Sequence, residues 1–164
     1  MKTSGMATRV VAGALLFLAA QLAAADWKNY EAKSHGFSML IPEGTRMTER
    51  ELGGGWGQLA GNAEGVKLYG MAKLGAKESN EEIEKFAVRL IGIPVAEWKM
   101  VDAGAGPGFE RSKTFEAVRG SRLYFGAYGV GKRGNYLFYL EATVEDFNAH
   151  KADFMKWYES IRLD

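Results

Sequence analysis

The 164-residue chain contains no cysteine, three prolines and two histidines. Without a thiol there is no disulfide, no cysteine nucleophile, no thiolate-held metal and no iron–sulfur cluster. Three prolines leave no proline-rich linker, and two imidazoles leave no histidine-rich metal tract. An excess of one charge is missing as well. The 21 Lys and Arg stand against 20 Asp and Glu, a net charge of +1. That balance gives no wholesale attraction to nucleic acid or to an anionic membrane. Hydrophobic residues make up 47% and charged residues 25%, the proportions of a folded domain.

The long apolar run that is present lies at the start. Lys2 and Arg9 precede an uncharged stretch over residues 10–20, and small residues follow at Ala23 and Ala25. This is the three-part pattern of a secretory signal, with cleavage expected after Ala25. The run is about half the roughly 20 residues a bilayer span needs, so no stable membrane insertion is expected once the signal is removed. With no cysteine to lipidate and no twin arginine, lipoprotein and twin-arginine export do not fit. A short leader with an alanine-rich cleavage site points to bacterial export, to the periplasm or the medium. The expected mature domain, residues 26–164, has 139 residues with 19 basic and 20 acidic, a net charge of −1. A chain of that length buries about two thirds of its unfolded surface, enough for a core without covalent staples.

No linker or repeat divides residues 26–164, so one domain is expected. Residues 26–33 and 36–44 read as strands around a turn at Ser34, His35 and Gly36, with Pro42 ending the second. Residues 45–52 form a third strand candidate, followed by a loop at Gly53, Gly54 and Gly55. Residues 56–60 and 66–74 flank Gly61, Asn62 and Gly65 as a hairpin. Ser79 and Glu82 form a capping box ahead of Ile83, Phe86, Ala87, Leu90 and Ile91, one helical stripe closed by Gly92 and Pro94. A strand over residues 98–103 leads to the GAGPG loop at 104–108. A meander of residues 109–118, 121–130 and 135–143 follows, with turns at Arg119-Gly120 and at residues 132–134. Thr143, Glu145 and Asp146 open a second helix whose buried face is Phe147, Phe154, Met155, Tyr158 and Ile161. The pattern predicts an α+β fold: a largely antiparallel sheet of about six to eight strands with two main helices.

Residues 30–44 read YEAKSHGFSMLIPEG: an aromatic, a short turn, Gly-Phe, alternating hydrophobics and a proline. The chain closes on FMKWYESIRLD at residues 154–164. With the central helix and late meander, this resembles the PsbP-like superfamily, which includes photosystem accessory proteins, a nuclear-import factor and exported bacterial proteins. The likeness spans most of residues 26–164 and rests on structural motifs. It implies an α/β/α sandwich around an antiparallel sheet. It implies no shared catalytic set and assigns no site residue, and it points to a non-enzymatic accessory or binding role.

Few residues offer chemistry of their own. Gly129, Gly131 and Gly134 match G-x-G-x-x-G, but a dinucleotide loop needs a helix next and residues 135–142 read as a strand, so a hairpin turn with positive φ is expected. The GAGPG loop lacks the Lys-Ser/Thr ending of a phosphate loop. Asp146, His150 and Asp153 fall at i, i+4 and i+7 of the last helix, a spacing that puts two carboxylates and an imidazole on one side, as a divalent metal requires. The alternative there is a solvated flank of the apolar stripe. His35 lies in a turn near Glu31 without a nucleophile elbow. The sharper signal is charge. Arg111, Lys113, Arg119, Arg122, Lys132 and Arg133 face only Glu116 between positions 111 and 133, and Tyr124 and Tyr128 share the strand parity of Arg122. Arginine beside tyrosine suits an anionic or aromatic partner. The plainer reading is that these cations guard strand edges.

The expectation is therefore a non-catalytic exported accessory domain that binds a protein or cell-envelope component, through Arg111, Lys113, Arg119, Arg122, Tyr124 and Tyr128. A small-ligand binder with an aromatic or basic pocket in the 109–143 meander is the alternative. A metal-assisted enzyme using Asp146, His150 and Asp153 is a second alternative. Neither a cofactor nor nucleic acid is expected.

Overall fold

The structure, a computed structural model, describes residues 26–63, 65–101 and 106–164. The expected signal segment lies outside them, as do Gly104 and Ala105 of the GAGPG loop. Ten strands form among the described residues: β1 (Trp27–Ala32), β2 (Phe37–Pro42), β3 (Arg46–Glu51), β4 (Gly57–Ala63), β5 (Val66–Leu74), β6 (Lys99–Val101), β7 (Phe109–Arg119), β8 (Arg122–Gly131), β9 (Gly134–Thr143) and β10 (Arg162–Leu163). The helices are α1 (Asn80–Ile91), α2 (Val144–Ala149) and α3 (Lys151–Ser160). The fold is α+β, as expected.

The strands pair antiparallel but divide into two sheets, where one was expected. Seven run in the order β3-β4-β5-β9-β8-β7-β6, and three in the order β1-β2-β10. The small sheet separates because Phe37, Met39 and Ile41 of β2 pack against the face of the large sheet instead of extending its edge. Pro42 closes β2 as expected. The β4–β5 hairpin turns later than its glycine suggested. Gly61 and Asn62 lie within β4, paired with Leu68 and Lys67, and the pairing continues to Ala63 opposite Val66.

Ser79 caps α1 by accepting the Glu82 amide at 3.3 Å, and Gly92 ends it in the left-handed region at φ 77. The reciprocal half of the capping box is absent, because Glu82 turns to Lys85 one turn on, at 2.5 Å. The second expected helix is broken into α2 and α3 at His150, whose φ of −121 and ψ of 25 leave the helical region. Seven residues along an unbroken helix would separate Phe147 from Phe154 by about 10 Å. The break brings their rings to 5.5 Å, stacked.

Two cores result, one on each face of the large sheet. Strand period decides which residue joins which. In β9, Tyr136, Phe138, Leu140 and Ala142 face the small sheet, α2 and α3, while Leu137 and Tyr139 face α1. Phe147, Phe154 and Trp157 complete the first core, and Trp56, Ile83, Phe86, Ile91 and Trp98 the second. Trp56 stacks on Phe86 at 4.1 Å, which seats α1 over Met71, Leu137 and Tyr128.

Candidate binding face

The register puts all six residues of the predicted basic face on the α1 side of the sheet. Four of them are engaged by the α1 segment. Arg111 donates to Asn80 Oδ1 at 3.2 Å and to the Glu78 carbonyl, at the N-terminal end of α1. Lys113 Nζ reaches Glu84 Oε1 at 3.2 Å, and the Tyr128 hydroxyl donates to the same carboxylate oxygen. Arg119 donates to the Gly92 carbonyl at 3.0 Å, where a cation also meets the negative end of the helix dipole. β6 covers β7 only at Thr114–Glu116, so Arg111, Lys113 and Arg119 lie outside the stretch that it pairs.

Arg122 and Tyr124 belong to a different neighbourhood, the part of this face that α1 leaves open. Successive strands bring Thr48, Ala60, Tyr69 and Tyr139 into one cross-sheet row, and Arg46, Asn62, Lys67, Glu141 and Tyr124 into the next. Tyr69 and Tyr139 lie 4.6 Å apart by ring centroid, and Tyr124 packs edge-on to Tyr139 at 6.2 Å. Glu141 answers Lys67 at 3.6 Å and Arg122 at 3.8 Å. Arg50 Nε donates to Gln58 Oε1 at 2.6 Å beside the same floor.

The three phenols are held as neutral donors. Burial pushes each of their pKa values up, and the Glu141 carboxylate adds to it. Tyr128, Tyr136 and Tyr158 spend their hydroxyls on Glu84, Gly36 and Thr114. Those of Tyr69, Tyr124 and Tyr139 have no hydrogen-bond partner among the described residues. Tyr69 and Tyr139 escaped the sequence reading as site residues, because only pairing of β5 with β9 and β9 with β8 brings them beside Tyr124.

A second concavity lies on the opposite face, between the β6–β7 edge and α3. Its volume is about 630 Å³, with Glu116, Phe125, Phe147, Met155 and Tyr158 among its lining residues. A smaller pocket of about 220 Å³ holds His35, which is 5% exposed. Ser34 Oγ meets its Nδ1 at 2.9 Å, and its acid neighbour is Glu49, 3.6 Å from Nε2, not Glu31. The β4 backbone closes one side of the ring, since a Cβ on Gly57 would stand 2.6 Å from Nε2.

The other predicted features resolve as structure. The break at His150 interrupts the face that spacing gave Asp146, His150 and Asp153. Asp146 accepts from the Thr143 hydroxyl at 2.6 Å, while His150 Nδ1 lies 3.9 Å from Asp153. Among the described residues no three His, Asp or Glu side chains gather as a ligand set. Gly129, Gly131 and Gly134 sit in the β8–β9 hairpin, and none has the positive φ expected of them. Close approach is what excludes a side chain: a Cβ on Gly129 would lie 2.1 Å from the Arg111 carbonyl oxygen.

A seven-stranded antiparallel sheet with α1 on one face and two helices plus a small sheet on the other is the PsbP-like fold. The solved structures that match bear this out. The solution structure of cyanobacterial PsbP (CyanoP) from Synechocystis sp. PCC 6803 superposes with a TM-score of 0.58 at 11% identity, covering 97% of this chain and 99% of that one. The Ran-binding protein Mog1p of Saccharomyces cerevisiae superposes with a TM-score of 0.51 at 10% identity, covering 85% and 96%. At such identities the likeness is one of fold. No protein-family model matches the chain, and no curated protein matches its sequence.

Proposed function

We propose that this chain is an exported accessory domain that binds a protein or cell-envelope partner and catalyses no reaction. The observation that carries the proposal is the tyrosine floor in which part-exposed Tyr69 and Tyr124 pack on the buried Tyr139, with unspent hydroxyls and flanking guanidinium groups. Tyrosine offers a large, stiff, amphipathic surface, which is what binding faces use. The fold, shared with a Ran-binding protein, supports a binding role. The leader pattern at Lys2 to Ala25 supports export.

Affinity capture from the source cell's envelope fraction tests it, using wild type beside Tyr69→Ser/Tyr124→Ser. A partner held by the wild type and lost by the double variant, at unchanged melting temperature, is the expected result. A partner held equally by both would remove the binding face. Turnover of any substrate that disappears in His35 or His150 variants would remove the non-catalytic reading.

A second reading, a small-ligand binder, is favoured by the groove at Phe125, Phe147, Met155 and Tyr158. Its volume of about 630 Å³ is within the range of ligand pockets. A ligand found by native mass spectrometry and expelled by Met155→Trp would support it.

A further inference from the structure

Charge on the open half of the α1 face is sorted by strand parity. In β3, Arg46 and Arg50 point to the tyrosine side with Thr48, while Glu49 and Glu51 point to the opposite side, at the His35 pocket. Lys67 and Arg122 join the two arginines around the floor. Against these four cations stands one carboxylate among the described residues, Glu141, already answered by Lys67 and Arg122. A chain with a net charge of +1 thus concentrates positive charge beside three phenols that can donate hydrogen bonds.

We infer that this half-face docks an acidic, extended segment of a protein partner. The inference rests on the reading of that face as the binding face. Charge complementarity supplies the sign, since carboxylates would meet arginine forks at both ends and tyrosine hydroxyls between. Geometry supplies the length. From Arg46 on β3 to Arg122 on β8 the sheet crosses four strand spacings, about 19 Å, with an offset of two residues along the strand, a span of about 20 Å that about six extended residues cover. A membrane surface fits poorly, because among the described residues the exposed large apolar side chains, Met100 and Val118, lie at the β6–β7 edge and not on this floor.

The test is anisotropy of a labelled eight-residue peptide alternating glutamate and serine, with its lysine counterpart as control. Amide shifts in β5, β8 and β9 locate the site. The glutamate peptide is expected to bind at those strands, to weaken with salt, and to lose about tenfold in affinity in Arg46→Gln/Arg50→Gln. Arg122→Gln is the second variant, should the pair disturb β3. Equal binding of the lysine peptide, or a glutamate peptide indifferent to both variants, overturns the inference. So does displacement of the glutamate peptide from these strands by single-stranded DNA or phosphatidylglycerol vesicles at lower concentration. A native partner lost by Tyr69→Ser/Tyr124→Ser but indifferent to both arginine variants leaves the binding face standing and overturns the acidic segment alone. Indifference to the tyrosine variant overturns both.

Discussion

Asn135 is fully buried, and its side chain organises the approach to α1. Its Oδ1 accepts the Glu78 amide at 2.7 Å, and its Nδ2 donates to the Ala76 carbonyl at 2.6 Å and the Lys73 carbonyl at 3.3 Å. One side chain thereby satisfies three backbone groups between the end of β5 and the start of α1, Lys73 being in the strand itself. Asn135→Ala should leave those groups without protein partners in a buried site, costing about 2–4 kcal/mol by the usual penalty for lost buried hydrogen bonds. Urea melts of the two proteins measure it, and a loss below about 0.5 kcal/mol would show that water replaces the amide. Nothing in the sequence around Asn135 marks this role. It reads as the first residue of a strand, because its partners lie 57 to 62 positions away. The cap residues Ser79, Gly92 and Thr143 were legible, since a cap bonds within a few positions of itself.

At the scale of elements, α1 is fastened along its length by β7 and β8. Glu84 is the middle fastening, shared by Lys113 and Tyr128. Burial raises the Tyr128 pKa and the Glu84 carboxylate raises it further, so the folded protein keeps this proton after an unfolded tyrosine has lost its own. The contribution is complete below about pH 10, the ordinary tyrosine value, and falls as pH rises above it, by up to about 1.4 kcal/mol per pH unit. Tyr128→Phe should therefore be less stable at pH 8 by about 1.5–3 kcal/mol, the worth of a hydrogen bond to a charged group. Its stability should also decline less steeply between pH 9.5 and 11.5, as denaturant melts at stepped pH would record. Parallel pH slopes for the two proteins would contradict this. The basic run from Arg111 to Arg122 was legible as a run, and parity put Tyr124 and Tyr128 on the face of Arg122, while the β7–β8 register adds Arg111, Lys113 and Arg119 to it. Its chief partner was not legible, because α1 residues lie 27 to 33 positions from the arginines and lysine they meet. The α2–α3 break was hidden for a related reason. The apolar spacing of Phe147 and Phe154 suits a continuous helix, and packing of their rings on the first core decides otherwise.

At the scale of the whole molecule, the large sheet has a core on each face, and its central strands belong to both. Alternate residues of β5, β8 and β9 enter opposite cores: Leu68 and Met71, Phe125 and Tyr128, Leu137 and Phe138. The alternation was legible in the meander, and it fixed the class of fold. What it could not show was that β1 and β2 leave the large sheet, because strand pattern is the same for a neighbour in the plane and a layer above it. The shared strands carry a mechanical consequence. Neither core can be lost while the other persists, since unpairing β9 removes Leu137 from one and Phe138 from the other. Leu137→Ala and Phe138→Ala, on opposite faces, should each cost about 2–5 kcal/mol as cavities in a close-packed interior. Both should lower a single calorimetric transition whose van't Hoff and calorimetric enthalpies agree. A second transition appearing in either variant would mean that α1 and its core unfold on their own. Then the tyrosine floor, whose rings line the margin of that core, would be exposed by local opening and not by the sheet's standing architecture. Coincident melting of both variants followed by tryptophan fluorescence, which reports Trp56 and Trp98 on one side and Trp27 and Trp157 on the other, would tie the floor to the stability of the whole sheet.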